Sequence, residues 1–151
     1  MSRSAAAPLV TRRHAASRLA AAVVAALAMV TMLLPASPAL AGAADENHFV
    51  SRANAERAAA GLPALTHVAD LQAVARKHAQ TMASSSNLHH NPSLTTDVTN
   101  WSRVAENVGY GGGAEVVHVA FMNSPGHRAN ILHAGVSQIG VGVVWSGTRL
   151  W

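Results

Sequence analysis

Ser124-Pro-Gly-His-Arg-Ala-Asn-Ile-Leu132 is the stretch on which the reading of this 151-residue chain turns. Serine is a good N-cap because its hydroxyl can accept from an orphan helix N–H, and proline suits the first helical position, where no N–H is needed. A short helix is therefore expected from Pro125 to about Leu132, with His127 at its third residue. Upstream, Ala114 to Asn123 reads as another helix that buries Val117, Ala120 and Phe121. Downstream, Ile139-Gly-Val-Gly-Val-Val-Trp145 alternates as a strand does. Ile139, Val141, Val143 and Trp145 share one face, and Gly140 and Gly142 on the other imply close approach by a second element. Ser146-Gly147 reads as a two-residue hairpin turn, with Thr148-Arg-Leu-Trp151 starting the return strand. That final strand reads as truncated, and its edge as uncovered.

Toward the N-terminus, Asp45 to Ala60 reads as a helix with Phe49, Ala53 and Ala60 on one face, stopped by Gly61-Leu62-Pro63. A second helix, about Ala69 to Ser84, has the cleanest periodicity: Leu71, Val74, Ala75, His78, Ala79 and Met82 form one stripe. His78 within it reads as a buried histidine bonded to backbone, since a buried polar group needs a partner. Ser84-Ser-Ser-Asn87 releases the chain into a long connection carrying His89, His90 and Pro92. Asn91 precedes proline and is pushed to extended geometry, so His90 belongs on a loop. His89 reads as its solvated neighbour. Trp101 to Asn107 is expected to form a short helical turn, and Gly109-Tyr-Gly-Gly-Gly113 a loop, because adjacent glycines carry too much backbone entropy for a helix. No Lys-Ser/Thr follows those glycines, which excludes a phosphate loop.

Charge is unevenly placed. Four of the 11 Lys/Arg residues (Arg3, Arg12, Arg13, Arg18) precede every acidic residue, leaving seven basic against seven acidic groups from Gly42 onward. Such balance offers no basic patch for nucleic acid. The arginines lead into an apolar run, Leu19 to Leu34, and Ala39-Leu40-Ala41 offers a small-x-small cleavage pattern. Residues 1–41 thus read as a signal peptide for signal peptidase, the run being short of the ~20 residues that span a bilayer. The chain has no cysteine, so disulfides cannot brace the exported domain, and any metal would need histidine and carboxylate ligands.

Three neighbourhoods stand out: His90 in Leu88-His-His-Asn-Pro92, Glu106 in Ala105-Glu-Asn-Val108, and His127 in the opening stretch. Imidazole and carboxylate can share a divalent cation or pass a proton. With Asn54-Ala-Glu-Arg57, Gly61-Leu-Pro-Ala-Leu65 and Ile139-Gly-Val-Gly142, their order resembles a bacterial member of the CAP superfamily. That family comprises cysteine-rich secretory proteins, antigen 5 and pathogenesis-related 1 proteins, and the resemblance runs from about Phe49 to Trp151. It implies an α+β fold, an α–β–α sandwich with a small antiparallel sheet between helical layers. Residues 42–151 would be the CAP (SCP-like) domain, C-terminally incomplete because the family's hairpin continues through a longer aromatic-rich strand.

The resemblance also implies a cleft lined by two histidines and two glutamates. His90 matches the first histidine, Glu106 the first glutamate and His127 the second histidine. Ser124 stands where the second glutamate would be, and Glu115 lies more than two turns before it. The implied function is a secreted, non-catalytic module binding an extracellular ligand, lipid or cell-envelope component. A divalent metal such as zinc would sit at His90, Glu106 and His127. The alternative is a metal-assisted or histidine-dependent hydrolase acting outside the cytoplasm with the same three residues as its catalytic groups. Against it, the chain has no Gly-x-Ser-x-Gly, no cysteine and no His-Glu-x-x-His.

Overall fold

The computed structural model describes residues 38–151. The elements are α1 (Pro38–Ala59), β1 (Thr66–His67), α2 (Ala69–Ser85), α3 (Leu94–Asp97), α4 (Ala114–Asn123), α5 (Pro125–Ile131), β2 (Gln138–Ile139), β3 (Trp145–Ser146) and β4 (Arg149–Leu150). The fold is α+β, mainly helical with small sheets. The expected signal peptide lies outside the described residues except for positions 38–41, which open α1. No helix among the described residues is long and apolar enough to cross a membrane.

Helix α1 starts at Pro38 rather than Asp45, extended by the alanine-rich run that precedes the acid, and alanine is the best helix former. It ends where Gly61 takes a φ of +70°, with Leu62 N–H returning to the Arg57 carbonyl at 2.9 Å. Phe49 and Ala53 are buried as expected, whereas Ala60 is in the turn and exposed. The Asn54-Ala-Glu-Arg57 motif acquires a structural meaning here. Asn54 pairs with the backbone of Leu65 in both directions, accepting from its N–H at 2.7 Å and donating to its carbonyl at 3.1 Å. Arg57 is fully buried and donates to the carbonyls of Pro63 (2.8 Å), Ile131 (2.9 Å), His133 (2.9 Å) and Val136 (3.3 Å). One guanidinium thus joins the α1–β1 connection to the segment after α5.

Helix α2 buries His78, Ala79, Met82 and Ala83, and His78 Nε2 bonds the His89 carbonyl at 2.8 Å. Its backbone is the close neighbour implied by the glycine pair. A Cβ on Gly140 would lie 2.2 Å from the Leu71 carbonyl carbon, and one on Gly142 2.2 Å from that of Ala75. Buried Glu46 fastens α1 to both elements: it accepts from Gln72 (2.7 Å), from Arg76, and from the Val143 N–H at 3.2 Å.

The strands depart most from expectation. Of the alternating run, Ile139 lies in β2 and Trp145 in β3, and Val144 exchanges two backbone hydrogen bonds with Trp151; β2 pairs with β1 in parallel while β3 pairs with β4 antiparallel. The hairpin turn is Gly147-Thr148, one residue later than read, because Trp145 registers with Leu150 and Ser146 with Arg149, leaving the positive-φ position to Gly147. The expected uncovered edge is covered: Leu150 exchanges two backbone hydrogen bonds with Gly111, at 2.8 and 3.0 Å. Leu150 joins Phe49, Ala114, Val117 and Val143 in one core cluster, and Trp151 joins Met82 and Ala83 in a second. Residues 101–107 form no helical turn; the turn forms at α3 instead, where Ser93 accepts from the Asp97 N–H at 2.8 Å. On α4 the buried face is Ala114, Val117 and His118, and Ala120 is exposed. Ser124 takes the extended N-cap geometry before Pro125, but its hydroxyl makes no capping bond.

Candidate functional site

The loop after α2 carries His90, and the extended segment before Gly109 carries Glu106. One carboxylate oxygen of Glu106 receives both His90 Nδ1, at 2.6 Å, and the Asn91 backbone N–H, at 3.0 Å. A carboxylate only accepts, so the Nδ1 atom of His90 carries the proton and, in the neutral ring, Nε2 is left with its lone pair. The His90 side chain is 65 % exposed and that of Glu106 17 %. The pair therefore leaves the second ring nitrogen, Nε2, without a protein partner on a largely exposed side chain, held in place through its Nδ1 contact with Glu106. Asn91 holds the loop by donating to Asp97 on α3 at 3.0 Å while its side-chain oxygen accepts from the Ser93 N–H at 2.9 Å.

His127 occupies the expected third position of α5, but its ring packs against Phe121, centroids 4.8 Å apart. Two asparagines join its helix to the Glu106 segment. Asn107 donates to the His127 carbonyl at 3.0 Å, and Asn130 donates to the Glu106 carbonyl at 3.2 Å and to Asn107 at 2.9 Å. His127 thus contributes its backbone to the site's scaffold. Sequence reading singled out the chemistry-bearing residues and passed over Asn107, Asn130 and Asp97. The first two stood inside the quoted motifs; Asp97 had no signal at all.

Among the described residues, no group of three His, Asp or Glu side chains is placed to hold a metal ion. Of the three expected donors, His90 and Glu106 are bonded to each other, and His127 is turned onto an aromatic ring.

The remaining titratable groups gather elsewhere. Glu115 faces α1, where His48 Nε2 lies at 2.7 Å and Arg52 Nε at 3.2 Å. The hydrogen bond from His48, helped by the Arg52 charge, holds this carboxyl below the usual carboxylate range. His118 is fully buried with Nε2 unpartnered, 3.7 Å from Glu56. Burial, then the Arg52 charge, lowers its pKa below that of ordinary imidazole. His89 is half-buried rather than solvated, its ring edge-on to His78 at 5.0 Å.

With this geometry, three solved structures are similar in fold. An extracellular SCP-domain protein from Bacillus anthracis matches at 20% identity and TM-score 0.62, over 78% of this chain and 43% of its own. An outer surface protein from Borrelia burgdorferi matches at 17% identity and TM-score 0.64, over 71% of this chain and 88% of its own. A cysteine-rich secretory protein from Staphylococcus aureus matches at 17% identity and TM-score 0.52, over 72% of this chain and 37% of its own. The chain thus spans less than half of the Bacillus anthracis protein. No curated protein matches significantly. The model of the cysteine-rich secretory protein family, CAP, matches residues 50–150, and with two thirds of its length covered the chain belongs to that family.

Proposed function

We propose that the protein is an exported CAP domain that binds a cell-envelope component on the face carrying His90 and Glu106, without turning it over. The observation that carries this reading is the His90–Glu106 pair, whose free imidazole nitrogen lies on a largely exposed side chain. Such a nitrogen can accept a hydrogen bond from a hydroxyl or amide of a ligand. Hydrolysis by a serine mechanism would need a nucleophile in reach, and no serine or threonine hydroxyl among the described residues bonds to His90 or His127. A divalent cation such as zinc is the other ligand class these side chains would serve. Export is supported by the N-terminal pattern and by the extracellular or outer-surface descriptions of the similar structures.

Co-sedimentation of the purified protein with insoluble cell-wall fractions is the test. Wild type is expected to pellet with the wall, and Glu106→Gln and His90→Ala to lose at least five-fold in affinity while melting like wild type. Release of nitrophenol from nitrophenyl acetate, abolished in His90→Ala, would instead establish the hydrolase. A zinc-dependent rise in melting temperature, lost in both His90→Ala and His127→Ala, would establish the metal centre.

A further inference from the structure

The loop after α3 is exposed for five residues in succession, Thr99-Asn-Trp-Ser-Arg103. Only Trp101 among them is apolar, and it is 45% exposed. Its indole N–H donates to the Thr95 carbonyl at 3.2 Å, so that group is used within the protein and fixes the ring. What remains for a ligand is the aromatic surface, whose face carries partial negative charge and attracts polarised C–H groups. Its neighbours are mostly neutral and polar. The side chains of Thr95, Thr99, Asn100 and Ser102 are exposed and make no hydrogen bond among the described residues. Helix α3 holds this ring and the His90–Glu106 pair together. Thr95 anchors Trp101, and two residues on, Asp97 accepts from Asn91 Nδ2 at 3.0 Å. Asn91 follows His90 directly and donates its backbone N–H to Glu106. One short turn thus carries both the indole and the imidazole loop.

We propose that the ligand of this face is a glycan, with Trp101 as the platform on which one sugar ring stacks while His90 Nε2 accepts a hydroxyl from a neighbouring sugar. The inference rests on the reading of the His90–Glu106 face as the binding face, and names the chemistry of what binds there. A pyranose offers a C–H face to the indole and hydroxyls around its rim. Hydroxyl and amide side chains both donate and accept, so Thr95, Asn100 and Ser102 can meet those hydroxyls in either sense. A lipid tail or an apolar peptide would find a single apolar side chain among five exposed residues. Arg103 forms no ion pair among the described residues. Its planar fork of donors suits a carboxylate carried by the sugar chain.

The probes are bacterial wall glycan chains freed of their stem peptides by an amidase, and the released stem peptides as a separate ligand. Wild type should bind the glycan saturably, Trp101→Ala about ten-fold more weakly, and Trp101→Phe, which keeps a ring, within about three-fold of wild type. In NMR titrations the carbon-bound ring protons of Trp101 should shift while its indole N–H, held by Thr95, moves little. Where Trp101→Ala melts below wild type, the double variant Asn100→Ala/Ser102→Ala, which removes only exposed and unbonded groups, should still lose about three-fold or more. Glycan binding that none of these variants weakens would overturn the proposal. So would wall binding that stem peptides compete and glycan chains do not, an outcome that leaves the cell-wall reading standing. A protein that fails to pellet even with intact wall would remove both.

Discussion

Arg57 is the residue on which most connections converge. A buried guanidinium with no carboxylate partner among the described residues is tolerable because four carbonyl oxygens solvate it, one from the turn after α1 and three from residues 131–136. Its planar fork reaches them simultaneously, which a single ammonium cannot do. Arg57→Ala is expected to lower unfolding free energy by about 3 kcal/mol or more, since buried carbonyls lose their partners. Arg57→Lys should recover less than half of that. Urea denaturation of the three proteins measures both differences, and a lysine variant as stable as wild type would mean that charge matters and the fork does not. The same residue shows how a motif hides its role: Asn54-Ala-Glu-Arg57 marked the family in the sequence, yet its side chains hold backbone between 6 and 79 residues away.

Among the elements, the periodic helices were legible, and the strands and the short turn at α3 were not, for one physical reason. Helix α2 and α4 carry their own periodicity and close their hydrogen bonds locally, so Ala69 and Ala114 start where the pattern says. Strand boundaries depend on partners that sequence does not name, and the Ile139–Trp145 run is laddered only where β1 or β4 reaches it. His90 and Glu106 could be placed together only through the family resemblance, because residues 91–105 between them carry no periodicity that brings their ends together. The glycine pair was legible for the opposite reason, as alternation left an empty face. Gly142→Ala is expected to drive a methyl into the backbone of α2 and lower stability by about 1–3 kcal/mol. Gly112→Ala, where a Cβ meets nothing within 4 Å, should change it by less than about 0.5 kcal/mol. Thermal melts of the two variants side by side separate close packing from any general cost of replacing glycine.

For the whole molecule, pH acts on the α1–α4 interface through two groups whose pKa values are displaced. His118 faces Arg52 and Glu56 on α1, with Glu115 on its own helix, and burial followed by Arg52 lowers its pKa. The unfolded chain therefore binds a proton at this histidine more readily than the folded one. Its contribution to stability is full above the ordinary imidazole value of ~6.5 and declines as pH falls below it, with a slope of at most about 1.4 kcal/mol per pH unit. Glu115 acts further down the scale. Its depressed pKa, set first by His48 and then by Arg52, contributes stability above the ordinary carboxylate value that is lost as pH falls through the lower folded value. These two groups should thus lower unfolding free energy in two stages on acidification, His118 below about pH 6.5 and Glu115 further down. His118→Gln should remove the upper stage and leave the lower one, while Glu115→Gln should do the reverse. Denaturation curves at half-unit steps from pH 8 to 3 resolve the two. An upper stage that survives His118→Gln would move the proton-sensitive group away from this interface.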